Sequence, residues 1–529
     1  MSVNSTAIGM KRVGRGRWLA LGALVLSGLV LGLDTTILVT ALPTLSAKLG
    51  ATTDQLQWMS TAYTLALAGL MLPAAVLADR YGRRLLLMAG LLVFGVSSVV
   101  ASQLSSANGL IFMRALMGAG GAVILPLMLA ILPTLFAEDE RRRALALAGA
   151  GVFLGLPLGP LVAGYLLTHY DWGSIFLING PVVVLALLGV AFFVPESKDL
   201  EAHGLDWIGA VLEVVGVTAL VYGIIQEPLK GWTDPQVLVP LVGGAILIAA
   251  FVGWELRMRV PLVDLRLFLN PRFAWATAAF TMVGFGLTGA MFILTPYLQV
   301  VQGNDAQETG IRLLPMIAAV FVGALASDRL TASLGTKVMV AGGLLISAAG
   351  LVLLSRVGPD TGYGLVAAGL AVTGVGISLA MIPALDSILG ALPVAQTGAG
   401  NALTRVLQNI GASFGVAIMG SVLNSAYRAS LSGHLVGLPT QVSDGALSGV
   451  AVAAAIASRV PAPLAVPLRH AAYDAYAVGM AQVLVVSAVA LAAVAILIAL
   501  FLPARAAAAE AEAEAEARAD EAASRGAVA

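Results

Sequence analysis

The chain has 529 residues, 59% of them hydrophobic and 11% charged, and its mean hydropathy is +0.94. Soluble proteins run at about 25% charged, so this composition excludes a cytosolic enzyme, a nucleic-acid binder and a disordered scaffold. The 29 basic residues balance 29 acidic ones, which points to no polyanionic partner, and the lack of cysteine excludes disulfides, thiolate metal sites and thiol nucleophiles.

A segment that spans a bilayer needs about 20 mostly apolar residues, because lipid offers backbone N–H and C=O groups no partner. After a basic N-terminus at 1–17, fourteen such runs follow in chain order, which predicts an all-α polytopic membrane protein. Residues 18–42, 56–77, 85–102, 111–135, 145–167 and 175–194 make a first group, within a half at 18–196. Residues 207–225 and 238–254 form an inserted pair within 197–258. The second half, 259–502, holds runs at 273–294, 311–326, 338–354, 363–382, 403–423 and 478–502. Its segment 425–477, rich in Ser, Ala, Gly and Pro, reads as a loosely ordered outer connector, with a small cap as the alternative. The acidic, Ala-rich tail at 503–529 reads as solvated. The first run is too long for the apolar region of a cleaved signal, so it is expected to stay as a helix. Lys and Arg concentrate in alternate loops, which places both termini in the cytoplasm and the chain in a cytoplasmic membrane.

Charges inside such runs cost several kcal/mol and are functional candidates by default. Asp34 lies late in the first run and is the leading proton or cation site, ahead of a role in helix packing. Arg114 in the fourth run either pairs with a carboxylate or snorkels. Glu213, in the inserted pair, lines a path if it faces protein and is inert if it faces lipid. Asp386 follows Pro383 near the inner end of its run, as substrate ligand or interfacial carboxylate. Arg405, Gln408 and Asn409 share one helix face at i, i+3 and i+4, and with Thr61 and Tyr63 are candidates for lining a cavity. Gly151, Gly155, Gly159 and Gly164 place small residues on one face of the fifth run, with Pro160 permitting a bend there. No cluster of metal-binding type occurs, and the four histidines avoid the long apolar runs, so neither a metal nor an organic cofactor is expected.

The loop after the second run, with Asp79, Arg80, Gly82, Arg83 and Arg84, is echoed by Asp328, Arg329, Gly335 and Lys337 after the tenth. Six runs on each side of an inserted pair, with this echo, suggest duplicated halves that rock about a central path.

Together these residues resemble the major facilitator superfamily, and within it the fourteen-span drug/proton antiporters, from Trp18 to Leu502. Asp79, Arg80, Gly82, Arg83 and Arg84 match the superfamily's loop signature, which implies a conformational gate. Arg114 with Gly118 and Gly120 matches the fourth-span motif, whose Arg is tied to proton coupling. The Gly151–Gly164 series resembles the fifth-span mark of exporters. Leu33-Asp34-Thr-Thr through Ala41-Leu42-Pro43 matches the first-span motif, and Trp172 with Ile175–Pro181 resembles the start of the sixth span. Tyr297–Gln299 with Leu313–Pro315 resembles the loop between the ninth and tenth. Thr61 departs from the pattern, because exporters of divalent organic cations carry Asp there. The resemblance implies a major facilitator fold of 6+2+6 helices and export of amphipathic small molecules in exchange for protons. The energy source is then the proton-motive force, since no Walker-type sequence is present. The implied partners are substrate, protons and lipid, with a monomer as the simplest assembly and a bacterial source. A dedicated exporter of one self-made metabolite is the nearest alternative, and a non-transporting membrane sensor is the more distant one.

Overall fold

The computed structural model describes residues 16–136, 138–198, 206–258, 261, 265–391, 397–435 and 438–503. Lys11, Arg12 and Arg15 of the basic N-terminus and the acidic tail from 504 onward lie outside the described residues. The described chain is helical, with no strand. In order it forms α1 (Gly16–Leu49), α2 (Thr53–Tyr81), α3 (Arg83–Ala101), α4 (Ala107–Leu135) and α5 (Glu138–His169). Next come the short α6 (Ser174–Leu177) and α7 (Asn179–Phe193), which share the sixth expected span, then α8 (Trp207–Lys230) and α9 (Pro235–Glu255). After these stand α10 (Pro271–Pro296), α11 (Ala306–Arg312), α12 (Leu314–Leu334), α13 (Thr336–Leu354), α14 (Tyr363–Gly390) and α15 (Thr397–Ser432). The chain ends in α16 (Thr440–Leu447), α17 (Val450–Ala457) and α18 (Ala462–Phe501).

The helices begin where side chains satisfy the first free N–H groups. Ser106 accepts from Gly109 N, Asp206 from Gly209 N, Asp234 from Gln236 N, Asn270 from Arg272 N and Asp305 from Glu308 N. By length and hydropathy 12 helical segments among the described residues are able to cross a membrane, and the bent α2 makes 13. Helix α5, 32 residues long, stands at the remaining expected position. Helix α2 bends by 49° between Thr53–Met71 and Pro73–Tyr81, where the proline removes a backbone donor. Large apolar side chains turn outward along the spans, among them Leu325 at 82% exposed, as a lipid-facing surface requires.

One pairing pattern occurs twice. Helix α1 packs on α5 and α7, α4 on α2 and α3, and α3 on α7; in the same way α10 packs on α15 and α18, α14 on α12 and α13, and α13 on α18. Helices α8 and α9 pair with each other, and α8 lies against both α2 and α15.

The two sets are joined at the end of the bundle opposite the arginines of the α2–α3 loop. Gln299 Nε2 donates to Thr40 O at 2.6 Å, and Gln57 Nε2 to Ala417 O at 3.0 Å. Midway along the helices Thr64 Oγ1 and Ser413 Oγ are 2.6 Å apart. At the arginine-rich end Arg17 bonds to Glu140, Arg83 to Asp79, Arg84 to Ala191 O and Arg272 to Ser387, each within one set.

The segment 425–477 is not the loosely ordered connector its composition suggests. Helix α15 continues to Ser432, α18 starts at Ala462, and α16 and α17 fill much of the interval. Its alanines favour helix, and the two short helices gain tertiary support. Tyr427 Oη donates to Ala446 O at 2.9 Å, while Thr53 at the start of α2 donates both N–H and hydroxyl to Ser448 O, at 3.1 and 2.9 Å. The hairpin thus bridges from α15 to α2 across the joined end.

Candidate functional site

Asp34 on α1 and Arg114 on α4 form an ion pair, with Nη1 2.6 Å from Oδ2 and side chains 0% and 2% exposed. The arginine is held in three further ways. Its Nε donates to Met59 O at 3.2 Å, its Nη1 lies 4.0 Å from Met117 Sδ, and its guanidinium sits 4.3 Å from the centre of the Tyr63 ring. The other carboxylate oxygen faces Asn179 at the start of α7, whose Nδ2 is 3.5 Å away and also donates to Ser98 Oγ at 3.0 Å. Ser98 in turn donates to Phe176 O at 2.8 Å. Four helices, α1, α2, α4 and α7, therefore converge on one buried pair, with α3 behind Asn179 through Ser98. Two charges removed from water cost several kcal/mol each, offset only when geometry is good and the remaining polar atoms are satisfied. Loss of either charge leaves the other exposed to that full cost.

Asn179 is the part of this site that charge counting misses. A lone amide in the apolar stretch around Ile175–Pro181 is the signal that would have found it.

The glycines of α5 fix where α1 sits. A Cβ on Gly151 would lie 2.7 Å from Val25 O, one on Gly155 would lie 2.5 Å from Leu33 N, and one on Gly159 would overlap Thr36. The backbone next to Asp34 is thus pressed directly on α5. Farther along the same helix, Gly164 and Pro160 meet α11 of the other set: a Cβ on Gly164 would lie 2.7 Å from Ala306 O, and one on Gly310 would lie 2.5 Å from Pro160 O. Gly310, in α11, lies outside the glycine series read from the sequence, since it stands alone in a polar stretch.

At the arginine-rich end Asp79 pairs with Arg83 at 2.8 Å, and Arg83 Nη1 reaches Ala130 O at 3.4 Å. Arg80 is exposed and lies over the Tyr81 ring, while Arg84 Nη2 donates to Ala191 O at 2.6 Å. Gly82 has φ +126°, a backbone that side-chain-bearing residues rarely adopt, and a Cβ there would meet the Glu196 carboxylate at 2.7 Å. Glu196 accepts from the backbone of Arg84 and Leu85 at 3.0 and 3.2 Å. An acid at the first turn of α3 suits the positive end of the helix dipole.

The other sequence candidates stand apart from the buried pair. Glu213 is buried, which answers whether it faces lipid; it turns toward α9, with Glu255 as its charged neighbour, and not toward the space between the two sets. Asp386 is exposed near the arginine-rich end of α14, with Asp328 of α12 as its charged neighbour. Thr61 is fully buried, and its hydroxyl has no partner among the described residues. Tyr63 serves as the aromatic face under Arg114. Arg405 donates to Gln408 Oε1 at 3.2 Å, and Asn409 O accepts from Ser413. No group of three or more metal-ligating side chains occurs among the described residues.

The family model described as "Major Facilitator Superfamily" matches residues 24–416. The chain is 33% identical to "Methyl viologen resistance protein SmvA" of Salmonella typhimurium, over 84% of this chain and 90% of the relative. It is 34% identical to "Puromycin resistance protein pur8" of Streptomyces alboniger, over 83% of this chain and 88% of that one. It is 29% identical to "Multidrug efflux pump LfrA" of Mycolicibacterium smegmatis, over 89% and 94% respectively. Among solved structures, a bacterial homologue of the human lysosomal transporter Spinster, inward-facing and unoccupied, shares the fold with TM-score 0.66 at 18% identity, over 93% of this chain and 99% of that one. The helix pairing repeated in two sets and the match over most of its length place this chain in the Major Facilitator Superfamily of membrane transporters, to which it belongs.

Proposed function

We propose that the protein exports amphipathic small molecules from the bacterial cytoplasm in exchange for protons, by alternating access. The observation that carries this reading is the buried Asp34–Arg114 pair at 2.6 Å. A proton arriving at Asp34 removes its charge and releases Arg114, so proton binding changes what holds α1 against α4. Such a step has an energetic consequence at membrane depth that it would lack in water. Asn179 and Ser98 keep the carboxylate oriented in both states.

The arrangement of the bundle supports alternation. If the arginine-rich end is cytoplasmic, following the positive-inside rule, then the halves are joined on the outer side and the path opens inward. The Asp79–Arg83 loop is then the inner gate, unlatched from the opposite half. Relatives named as resistance proteins and an efflux pump support export over import. One charge moved through 100 mV is worth about 2.3 kcal/mol, which sustains a substrate gradient of roughly fortyfold. A monomer suffices for this cycle.

The test is proton release in inside-out vesicles, read as recovery of a quenched acridine dye when substrate is added. A panel of puromycin, ethidium and an amphipathic sulfonate samples charge. At least one compound is expected to dissipate the gradient with wild type and none with Asp34→Asn. Recovery in Asp34→Asn equal to wild type would overturn the coupling role of Asp34.

A further inference from the structure

Arg405 is a second guanidinium at membrane depth, and its surroundings differ from those of Arg114. Successive residues of a helix are 100° apart, so the contacts of α15 locate each of its faces. Gly411 and Gly415 press on α10 at Thr281 and Phe285. Ser413 and Gly420 meet α2 at Thr64 and Gln57. Ala417 packs with Val217 and Val221 of α8, and Ser421 donates to Ile224 O at 2.8 Å. Arg405 falls on a face between those turned to α10 and α2 and opposite α8, 18 residues before the level at which Gly479 of α18 meets α15 at Leu423. Since α10 and α2 belong to different halves, that face looks into the space between them.

No carboxylate among the described residues lies within ion-pair distance of Arg405. Its contacts there are the Gln408 amide oxygen at 3.2 Å and the Phe280 ring at 5.4 Å. The acidic candidates of the sequence reading are engaged elsewhere. Asp34 is taken by Arg114, Glu213 turns to α9 and Glu255, and Asp328 with Asp386 sits at the arginine-rich mouth. Thr61, buried in α2, supplies no charge. The described central space therefore carries one unanswered positive charge. A guanidinium offers a planar fork of donors that matches a carboxylate, sulfonate or phosphate in bidentate fashion. An unpaired charge at this depth is costly, and a ligand of opposite sign relieves the cost.

We infer that Arg405, braced by Gln408, is an anion-accepting subsite on the substrate path, which takes the acidic group of an amphipathic acid or zwitterion. This rests on the reading of the central space as the transport path. It sets the selectivity of this chain against that of a carrier for dications such as methyl viologen.

The test uses the purified full chain in neutral detergent, with two probes matched in ring and size, 2-naphthalenesulfonate and 2-naphthylmethylammonium, titrated calorimetrically. Wild type is expected to bind the sulfonate at least tenfold more tightly than the ammonium ion. Arg405→Gln is expected to lose that preference, and Arg405→Lys, which keeps the charge, to retain it within about threefold. Equal binding of the two probes by wild type, or an undiminished preference in Arg405→Gln, would overturn the inference. If Arg405→Gln does not fold, the wild-type ratio and the lysine variant still decide: loss of preference in a lysine variant that melts like wild type counts against the subsite. Binding is read without a gradient. A protein that selects the sulfonate but moves no protons keeps this subsite and loses the proposed function, whereas proton-coupled export without anion preference does the reverse.

Discussion

The Asp34–Arg114 pair shows how much a buried charge depends on its partner. Removal of one member of such a pair costs about 3–5 kcal/mol, because the other stays buried without compensation, while replacing both with uncharged residues is often close to neutral. Asp34→Asn and Arg114→Gln are each expected to lower the melting temperature of detergent-solubilised protein strongly. The double variant is expected to recover much of that loss while remaining inactive in vesicles. Additive destabilisation in the double variant would mean that the pair does not act as a unit. Each charge was legible in the sequence, as an ionised residue inside an apolar run. Their pairing was not, because it joins positions 80 residues apart through the docking of α4 on α1. Asn179 was less visible still: an amide carries no charge, and its meaning comes only from where the start of α7 is placed.

At the scale of the element, hydropathy located the spans well but not their ends. It stops a helix where polar residues begin, yet α15 continues past Leu423 to Ser432 and α18 starts before Val478 at Ala462. Alanine and serine in that stretch are compatible with helix, and packing of α16 on α15 and of α17 on α18 decides the matter. The glycine series was legible as a close-contact face, whereas its two partners were not. Gly151, Gly155 and Gly159 serve α1, and Gly164 serves α11. Gly155→Ala is expected to destabilise by about 1–3 kcal/mol, the usual cost of overpacking, because its Cβ would meet backbone at 2.5 Å. Gly180→Ala is the control, since the nearest atom to a Cβ there is 3.5 Å away. Thermal melting of the two variants checks the contrast; equal melting temperatures would show that α1 and α5 have room to separate.

For the whole molecule, the helix pairing repeats although the sequence echo is short, limited to the loops around Asp79 and Asp328 and to Met88–Leu92 with Val340–Leu344. Pairing depends on size and apolarity at many positions, and those tolerate substitution; turn chemistry depends on few. The joined end, by contrast, could not be read from sequence, because it arises where the two sets meet. The α16–α17 hairpin closes it by fastening to Thr53. The chain has no cysteine of its own, so Thr53→Cys with Ser448→Cys would provide a single oxidisable pair. Cross-linking is expected to stop transport, and a reductant to restore it; transport at full rate in the cross-linked protein would show that this end need not part.

Helix α5 touches α1 beside Asp34 and touches α11 across the seam, with Gly155 and Gly164 nine residues, about 14 Å, apart on one rod. At these points the contact is made by main chain, and main chain does not change when a codon does. A compound lodged between α5 and α11 would rest on a surface that the protein has few ways to redraw, since added side chains there displace the neighbouring helix before they displace the compound. Escape by mutation would then have to come from more distant positions, each leaving this contact intact.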